Sequence, residues 1–451
     1  MLFRKKKPAA KTAFESLSAH FAPEPLTNIT VTERRFPDRV RPDLQKAIER
    51  FSKDDGVLKH FFGVKKSYDH SGIRFTEMLI PSDHDPVFSV PPQYEEVDIG
   101  HDERVRCLTN GLWLMRVQNT PVALLLEPPS QFSRDGGLRF QFASINNAAG
   151  TALATEFFRR LETAVQESVC YRGKILSLEQ GDQYSGVSTG ISVHRLRAVE
   201  RDQVVLPKET LDLVERNVIR FIEQRQRLRE LGLPTKKGLL FYGPPGTGKT
   251  HTIHYLAGSL KGHTTFIMSA EQVGLLSEYM TLARLLQPSI LVMEDVDLIA
   301  RERSQMNSVC EEVLLNKLLN EMDGLRTDAD ILFLLTTNRP EALEAALASR
   351  PGRIDQAIEF PLPDEAGRAK LIKLYASGLH LFDWVVERTA QKTHGVSAAF
   401  IKELMRRAAQ FMMEREGAEV EMKDVEAALE EMLFTGGTLN RNLLGAGDSG
   451  L

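Results

Sequence analysis

A chain of 451 residues is long enough for two to four domains, each with its own apolar core. Apolar residues make up 42% and charged residues 26% of the sequence, a balance that argues against collagen-like, wholly disordered and disulfide-scaffold proteins. Lysine and arginine total 57 against 61 aspartate and glutamate residues, so the formal net charge of −4 argues against a dominant polyanionic partner.

The cysteines and the apolar runs bear on the compartment of the protein. Cys107, Cys170 and Cys310 lie far apart and form no Cys-x-x-Cys pair, which predicts reduced thiols. The longest apolar runs, such as 122–126 and 331–335, have the length of strands and fall well below the roughly 18 residues of a membrane span. We therefore expect a soluble, cytoplasmic protein without a transmembrane segment.

Residues 1–25 begin with the basic run Arg4–Lys7 and continue with Ala, Ser and Pro. No apolar core follows the basic start, so the segment does not fit a secretory signal. Such an arm either contacts lipid or nucleic acid or remains solvated. We predict a flexible basic tail.

Residues 26–201 mix strand and helix patterns and predict an α+β domain. The apolar runs 111–117 and 121–127, joined by a short polar segment, indicate a hairpin, and 138–142 alternates like a half-buried strand. From 153 to 165 apolar residues recur every four positions, as on one face of a helix.

A further strand pattern at 171–178 is also expected to belong to this N-terminal domain. The domain contains no recognisable nucleophile, metal cluster or phosphate loop. Four of its histidines lack the spacing of metal ligands, namely His60, His70, His84 and His101. We expect the domain to recruit a partner that the sequence does not identify.

From residue 205 onwards, strand and helix patterns alternate. A helix is predicted from Pro207 to Gly232, and four apolar strand runs follow it, at 238–242, 265–269, 290–293 and 331–336. This alternation predicts a parallel sheet with helices on both faces, over residues 205–362. Only helical patterns remain at 363–434, and the Gly-rich residues 435–451 are expected to form a flexible tail.

The most specific motif is a complete phosphate-binding loop between the strand pattern 239–242 and the next helix. Glycines let backbone N–H groups turn towards a phosphate, and the helix N-terminus adds partial positive charge. Lys249 can reach the β- and γ-phosphates, and the Thr250 hydroxyl can bind Mg²⁺. The loop consists of Gly243, Pro244, Pro245, Gly246, Thr247, Gly248, Lys249 and Thr250.

Two buried strand patterns end in polar residues, where ligands of parallel sheets bind. Glu294 and Asp295 follow the first, and Asn338 follows the second. By position we assign Glu294 to Mg²⁺ and Asp295 to activation of the attacking water. The alternative is that Asp295 holds the metal and the base lies elsewhere. Asn338 either hydrogen-bonds the attacking water or γ-phosphate or only forms a turn, and Asp297 is expected to be structural.

Arg350 and Arg353 flank a Pro-Gly turn, so both guanidinium groups can project from one rigid corner. Surface arginines are usually only solvated, and this pair gains significance only from the rest of the sequence.

Residues 230–430 resemble the nucleotide-binding module of AAA ATPases (ATPases associated with diverse cellular activities). The segment 231–250 is similar to the entry into that family's phosphate loop. The segment 316–324, Asn338 and the Arg350–Arg353 corner follow in the family's order, and 393–401 resembles its helical lid. The resemblance implies an α/β fold: a P-loop NTPase parallel sheet with a small helical lid, here preceded by the α+β domain.

The same resemblance implies ATP and Mg²⁺ as ligands, ATP hydrolysis, and a ring that is usually a hexamer. It also implies that Arg350 and Arg353 reach the γ-phosphate of the neighbouring subunit as arginine fingers.

The sequence departs from the common family pattern in its acidic pair and in one loop. The Glu294-Asp295 order resembles the branch that contains the mitochondrial respiratory-complex assembly ATPase, since most members have Asp-Glu. The segment 269–285 lacks the aromatic-apolar-Gly triplet with which threading members grip polypeptide, which puts threading in doubt.

The leading functional hypothesis is an Mg-ATP-driven ring that remodels or assembles a protein partner. The alternatives are a slow, nucleotide-switched scaffold and a nucleic-acid-acting P-loop motor. Acidic balance and the lack of a basic helix or stacking aromatics count against the motor. A P-loop kinase is less favoured still, because it has no use for the paired arginines and the helical lid.

Overall fold

A computed structural model of the chain describes residues 11–54, 56–66, 72–82, 84–100, 104–127, 137–168, 170–179, 190–301, 317–318, 320–325, 329–341 and 353–435. The chain divides into two compact units. The first runs to Arg172 and includes Leu178–Val193, and the second takes Gly173–Ser177 and continues from His194. Within the described ranges, none of the helices is long and apolar enough to cross a membrane.

The first unit contains an antiparallel sheet with strand order β1-β7-β6-β5-β2-β3, and β4 pairs with β5 outside this path. Its strands are β1 Ile29–Pro37, β2 Gly56–Lys65, β3 Phe88–Val90, β4 Gln93–Asp98, β5 Arg104–Val117, β6 Thr120–Leu126 and β7 Gly137–Ile145. Its helices are α1 Ala13–Phe21, α2 Arg41–Asp54 and α3 Ala148–Glu167, with short 3₁₀ turns at Leu26–Asn28, Asp38–Val40 and Phe75–Met78.

The predicted hairpin is present as β5 and β6, but its turn is shorter than expected. Val117 pairs with Thr120, so Gln118 and Asn119 alone form the turn. Both have positive φ, 48° and 67°, which is the conformation of a type I′ turn and matches the twist of the flanking strands.

Residues 11–25 belong to the fold, and the expectation of a flexible tail is wrong for them. Helix α1 begins at a capping box in which Thr12 and Glu15 bond reciprocally. Ala13, Leu17 and Phe21 recur every four residues on one face of this helix and are fully buried. Burial of this apolar face orders the segment in spite of the basic residues that precede it in the sequence. Residues 1–10 lie outside the described residues.

The second sheet has strand order β14-β10-β13-β12-β11-β8-β9. The pairs that join β14 through β8 are parallel. Its strands are β8 Ile175–Leu178, β9 Ile191–His194, β10 Lys237–Tyr242, β11 Thr264–Met268, β12 Ser289–Met293, β13 Ile331–Thr337 and β14 Gln356–Glu359.

Strand β8 differs from the sequence-based division of the chain, which assigned 171–178 to the N-terminal domain. Ile175 pairs with Thr265 and Leu176 with Phe266, and all four residues belong to the second unit. The sequence of a short apolar strand does not identify its partner strand, because pairing depends on long-range packing.

The helices around the second sheet are α4 Lys208–Glu215, α5 Phe221–Glu223, α6 Arg225–Glu230, α7 Lys249–Ser259, α8 Leu276–Leu285 and α9 Val296–Arg301. Short 3₁₀ helices lie at Arg201–Gln203 and Ala270–Leu275. The helix predicted from Pro207 to Gly232 is helical but not continuous, since a π-helical turn at Arg216–Arg220 and a break at Gln224 interrupt it. Apolar residues of α4 and α7 pack on alternate residues of the strands, such as Leu239, Phe241 and Val292.

Four helices follow the sheet, over the residues in which the sequence shows only helical patterns. They are α10 Glu365–Tyr375, α11 Asp383–Lys392, α12 Ala398–Glu414 and α13 Met422–Glu430, followed by a π-helical turn at Glu431–Thr435. They enclose an apolar core of their own. The expected fold class, a parallel α/β sheet with a helical lid after an α+β region, is confirmed. Residues 436–451, expected as a flexible tail, lie outside the described residues.

Candidate functional site

The phosphate loop leaves β10 at Tyr242 and enters α7 at Lys249, as the motif requires. Two of its glycines are required by their surroundings. Gly243 has φ +145°, and a Cβ there would lie 2.2 Å from the carbonyl oxygen of Phe360. Gly246 has φ +76°, and its Cβ would lie 2.8 Å from the Cβ of Ala399 in the lid. The loop therefore passes close to both β14 and the lid, which only glycine permits.

Lys249 lies within the loop with its ammonium group turned inward. Its Nζ donates hydrogen bonds to the carbonyl oxygens of Gly243 at 2.7 Å and Pro244 at 2.9 Å, and the residue is buried. Burial lowers the pKa of the Lys249 ammonium to about 8, and the negative charges of Asp295 and Asp297 oppose that shift. A phosphate dianion would compensate the cost of burying this charge.

Glu294 follows β12 and faces the start of α7. Its Oε1 accepts a hydrogen bond of 2.7 Å from the Oγ1 of Thr250. Its backbone N–H donates to the carbonyl oxygen of Met268 at the end of β11, which fixes the chain at this point. One carboxylate and one hydroxyl thus meet at the mouth of the loop, and both are hard oxygen ligands of the kind that Mg²⁺ prefers.

Asp295 has a left-handed backbone conformation, with φ 49°. Its N–H donates to the Oγ1 of Thr336 at 3.0 Å, and its Oδ1 accepts from the Nδ2 of Asn338 at 2.9 Å. A non-glycine residue is strained in this region by about 1–3 kcal/mol, and such strain clusters at functional sites. Both hydrogen bonds come from the end of β13, which therefore orients the Asp295 carboxylate.

Asp297 is buried and tied to the same strand end. Its Oδ1 accepts from the Oγ1 of Thr337 at 2.8 Å and from the backbone N–H of Asn338 at 3.1 Å. These bonds fix the backbone from which the Asn338 amide reaches Asp295, so Asp297 supports the site from behind.

A cavity of about 390 Å³ lies in front of the loop. Most of the site residues that we predicted from the sequence line this cavity: Pro245, Gly246, Thr247, Gly248, Lys249, Thr250, Asp295 and Asn338. Glu294 is joined to this set through Thr250.

Residues that sequence reasoning missed form the other walls of the cavity. They come from the segment before α4 and from the lid: Gln203, Val204, Val205, Leu206, Leu371, Tyr375, Ala398, Ala399 and Lys402. The only sign of these walls in the sequence is the apolar run 204–206, and an apolar run does not indicate whether it lines a cavity or packs in the core. These apolar and aromatic side chains suit the base of a nucleotide.

Arg353 is not among the described residues that line this cavity. The Nη2 of Arg353 pairs with the Oδ2 of Asp323 at 2.6 Å, and its Nη1 donates to the Oδ1 of Asn320 at 3.3 Å. Arg353 also lines a separate cavity of about 170 Å³. Arg350 lies outside the described residues.

The segment 269–285 consists of a 3₁₀ helix and α8. Its aromatic residue, Tyr279, is fully buried, and its hydroxyl donates to the carbonyl oxygen of Ile267 at 3.1 Å. Tyr279 is therefore a packing residue in this segment.

Comparison with known proteins gives the same nucleotide-binding module. The model of the family described as "ATPase family associated with various cellular activities (AAA)" matches residues 239–362. The 26S proteasome regulatory subunit 8 homolog of Encephalitozoon cuniculi is 30% identical over 312 residues, which are 60% of this chain and 78% of that protein.

Two further relatives match over shorter shares of their length. The proteasome-activating nucleotidase of Methanothermobacter thermautotrophicus is 31% identical over 259 residues, 55% of this chain and 63% of that protein. The ATP-dependent zinc metalloprotease FtsH 3 of Sphaerobacter thermophilus is 32% identical over 252 residues, 52% of this chain and 51% of that protein. The chain thus spans about half to two thirds of the length of these two relatives.

Proposed function

The chain belongs to the AAA family of ATPases, and on this premise we propose that it binds ATP at the loop Gly243–Thr250 and hydrolyses it with Mg²⁺. The observation that carries the proposal is the convergence of Thr250, Glu294, Asp295 and Asn338 at the mouth of the loop. They come from three places in the fold: Thr250 from the start of α7, Glu294 and Asp295 from the end of β12, and Asn338 from the end of β13.

The residues fit the phosphates of a nucleotide and a magnesium ion. Within the described residues, the buried ammonium of Lys249 donates only to carbonyls of its own loop. Among the described residues, no three His, Cys, Asp or Glu side chains are grouped to hold a metal. This suits Mg²⁺, which is commonly held by one or two protein oxygens together with substrate phosphates. Thr250 and Glu294 would hold the ion, which when bound polarises the phosphates and neutralises developing charge.

We assign the proton transfer to Asp295. Its Oδ1 is occupied by the Asn338 amide, which leaves Oδ2 to accept a proton from the attacking water. Glu294 is held on the side of Thr250 and is assigned to the metal. The Glu-Asp order supports a place near the branch that contains the respiratory-complex assembly ATPase.

We further propose a homo-hexameric ring in which Arg350 and Arg353 act on the nucleotide of the neighbouring subunit. Among the described residues of the single chain, no arginine lines the cavity. The charge that a P-loop enzyme commonly receives from an arginine finger would then come from outside the chain.

The biological role we propose is the remodelling or assembly of a protein partner. Two of the named relatives support this role, since both are named for the proteasome. We propose that residues 26–201 recruit the partner and that 205–362 and 363–434 form the ATPase module and its lid. The buried position of Tyr279 favours a mode of action that does not thread polypeptide.

The test is ATP hydrolysis by the full chain with and without Mg²⁺, compared with Lys249→Ala. We expect Mg-dependent phosphate release that the variant lacks. A preparation that binds no ATP by calorimetry would refute the proposal, and stimulation by DNA but by no protein would favour the nucleic-acid motor instead.

A further inference from the structure

We call the cavity of about 390 Å³ in front of the phosphate loop the nucleotide cavity. A second cavity adjoins it within the second unit. Its volume is about 430 Å³, and it shares lining residues with the first cavity. We call it the side pocket and define it by six of its lining residues: Arg197, Gln203, His251, His254, Tyr375 and Lys402. Of these, Arg197 and His254 line the side pocket but not the nucleotide cavity.

The lining of the side pocket is basic. Arg197 and Lys402 carry charges that persist at neutral pH, and His251 and His254 add two imidazoles. None of the described residues that line it is Asp or Glu. Within the described part of the chain, neither Arg197 nor Lys402 forms an ion pair. Among the described lining residues, Arg197 and Lys402 therefore have no carboxylate partner, while Glu294, which is outside the lining, acts electrostatically on His254.

Three segments of the chain create this arrangement. Arg197 precedes α4, Lys402 is in α12 of the lid, and the two histidines are three residues apart on α7, which places them on one helix face. The Nε2 of His251 lies 3.2 Å from the carbonyl oxygen of Gln203, so this ring is tied to the segment before α4. A ligand here would contact that segment, the phosphate-loop helix and the lid at once.

We propose that the side pocket binds a phosphate group beside the bound nucleotide. The inference rests on the proposed function, since it assumes an adenine nucleotide in the first cavity. A phosphate dianion has several acceptor oxygens, which suits a pocket with guanidinium, ammonium and imidazole donors and with the hydroxyl groups of Tyr375 and Ser377. A metal ion or an amine would find no carboxylate among the described lining residues.

Two sources supply this chemistry. The phosphate is either carried on the ribose of the nucleotide itself or belongs to a separate small phosphate compound. In both cases the group links the segment before α4, α7 and the lid around the nucleotide, so it raises nucleotide affinity, and by linkage the nucleotide raises its affinity.

The experiment is calorimetry on the full chain with three titrations: ADP, ADP that carries a further phosphate on its ribose, and pyrophosphate added to protein saturated with ADP. We expect the side pocket to bind the extra phosphate of one of these two compounds, either the ribose-phosphorylated ADP or pyrophosphate. For the ribose source, the dissociation constant falls at least about tenfold below that of ADP, which is about 1.4 kcal/mol. For the separate source, pyrophosphate binds the ADP-saturated protein.

The variants Arg197→Gln and His254→Gln are each compared with the control Arg227→Gln, an exposed arginine of α6. For the ribose source, the readout in each protein is the ratio of the dissociation constant of ADP to that of ADP with the extra ribose phosphate. ADP thus serves as an internal reference. We expect Arg197→Gln and His254→Gln to abolish the advantage of the extra phosphate, and the control to keep it.

The possible failures are distinguishable. If ADP itself does not bind, the proposed function is wrong. If ADP binds but neither phosphate source does, the side pocket is not a phosphate site and only this inference is overturned. If the extra phosphate binds equally well in both side-pocket variants, it binds elsewhere, and the assignment is again wrong.

Discussion

The Nδ2 of Asn338 donates a hydrogen bond of 2.9 Å to the Oδ1 of Asp295. The two residues follow β13 and β12, which are neighbours in the parallel sheet. Asp295 has φ 49°, and its N–H is held by the Thr336 hydroxyl. The end of β13 thus controls both the backbone and the side chain of the residue that we assign as the base.

We expect Asn338→Ala to slow ATP turnover by about 10- to 100-fold and to leave ATP affinity within a few-fold of wild type. Without the amide, the Asp295 carboxylate is free to rotate, and a misplacement near 1 Å can cost on the order of 10²-fold. Steady-state hydrolysis and calorimetry separate the two effects. Asn338→Ser keeps a shorter hydrogen-bond donor, so its turnover rate should lie between those of wild type and Asn338→Ala. A wild-type turnover rate for Asn338→Ala would show that the amide is dispensable.

Lys249→Ala should abolish or severely weaken ATP binding, because it removes the charge that faces the β- and γ-phosphates. Calorimetry with ATP is the measurement, and the exposed Lys261→Ala, in the turn after α7, is the matched control. Unchanged ATP affinity in Lys249→Ala would mean that the nucleotide does not bind at this loop.

Arg350→Ala and Arg353→Ala should leave ATP bound and slow its hydrolysis, since a finger stabilises charge that develops in the transition state. In other P-loop enzymes such arginines supply about 10³–10⁵-fold, which is an upper guide. If the arginines act on the neighbouring subunit, mixing either variant with Lys249→Ala should restore some active interfaces.

The pairing of Arg353 with Asp323 provides the competing explanation, in which Arg353 only stabilises its own chain. In that case Asp323→Ala should reproduce the loss seen in Arg353→Ala, and no mixing ratio should restore activity. Rescue on mixing, together with equal thermal stability of wild type and Arg353→Ala, would exclude this explanation.

We expect Leu17→Ala to lower the free energy of unfolding of the first unit by about 2–5 kcal/mol, because it removes a fully buried side chain from the apolar core. The chain has two tryptophans, so in a Trp384→Phe background the fluorescence during urea unfolding reports only Trp113 of β5. The exposed Ala19→Ser is the control on the same helix. An equal midpoint for Leu17→Ala and the control would mean that α1 contributes nothing to the core.

Much of the second unit could be predicted because its signals are local. The strands around Leu239 and Leu334 are continuous apolar runs, and a phosphate loop has a fixed sequence between a strand and a helix. Glu294, Asp295 and Asn338 could be expected at one edge of the sheet, since strand ends meet there.

What the sequence did not reveal depends on long-range packing or on competing local signals. The capping box at Thr12 and the apolar face of α1 were visible in the sequence, but the basic residues before them favoured a tail. No local pattern indicates that β8 pairs with β11, that Tyr375 of the lid faces the nucleotide cavity, or that Arg353 bonds to Asp323. Each of these contacts joins residues that are 30 or more positions apart.

The acidic pair carries the central claim, because its order assigns the metal to Glu294 and the proton transfer to Asp295. The Asp side chain is one methylene shorter than Glu, so its carboxylate falls short of a Glu carboxylate by roughly 1.5 Å. The left-handed backbone of Asp295 and its bond to Asn338 set where that shorter side chain points.

Single-turnover hydrolysis of bound ATP across a Mg²⁺ titration tests this assignment most directly, with ATP affinity measured in parallel. We expect Asp295→Asn to bind ATP and to show no turnover at any Mg²⁺ concentration, whereas Glu294→Gln should regain turnover as Mg²⁺ is raised. If Asp295→Asn hydrolyses ATP at the wild-type rate once Mg²⁺ is saturating, Asp295 is not the base and the assignment is wrong.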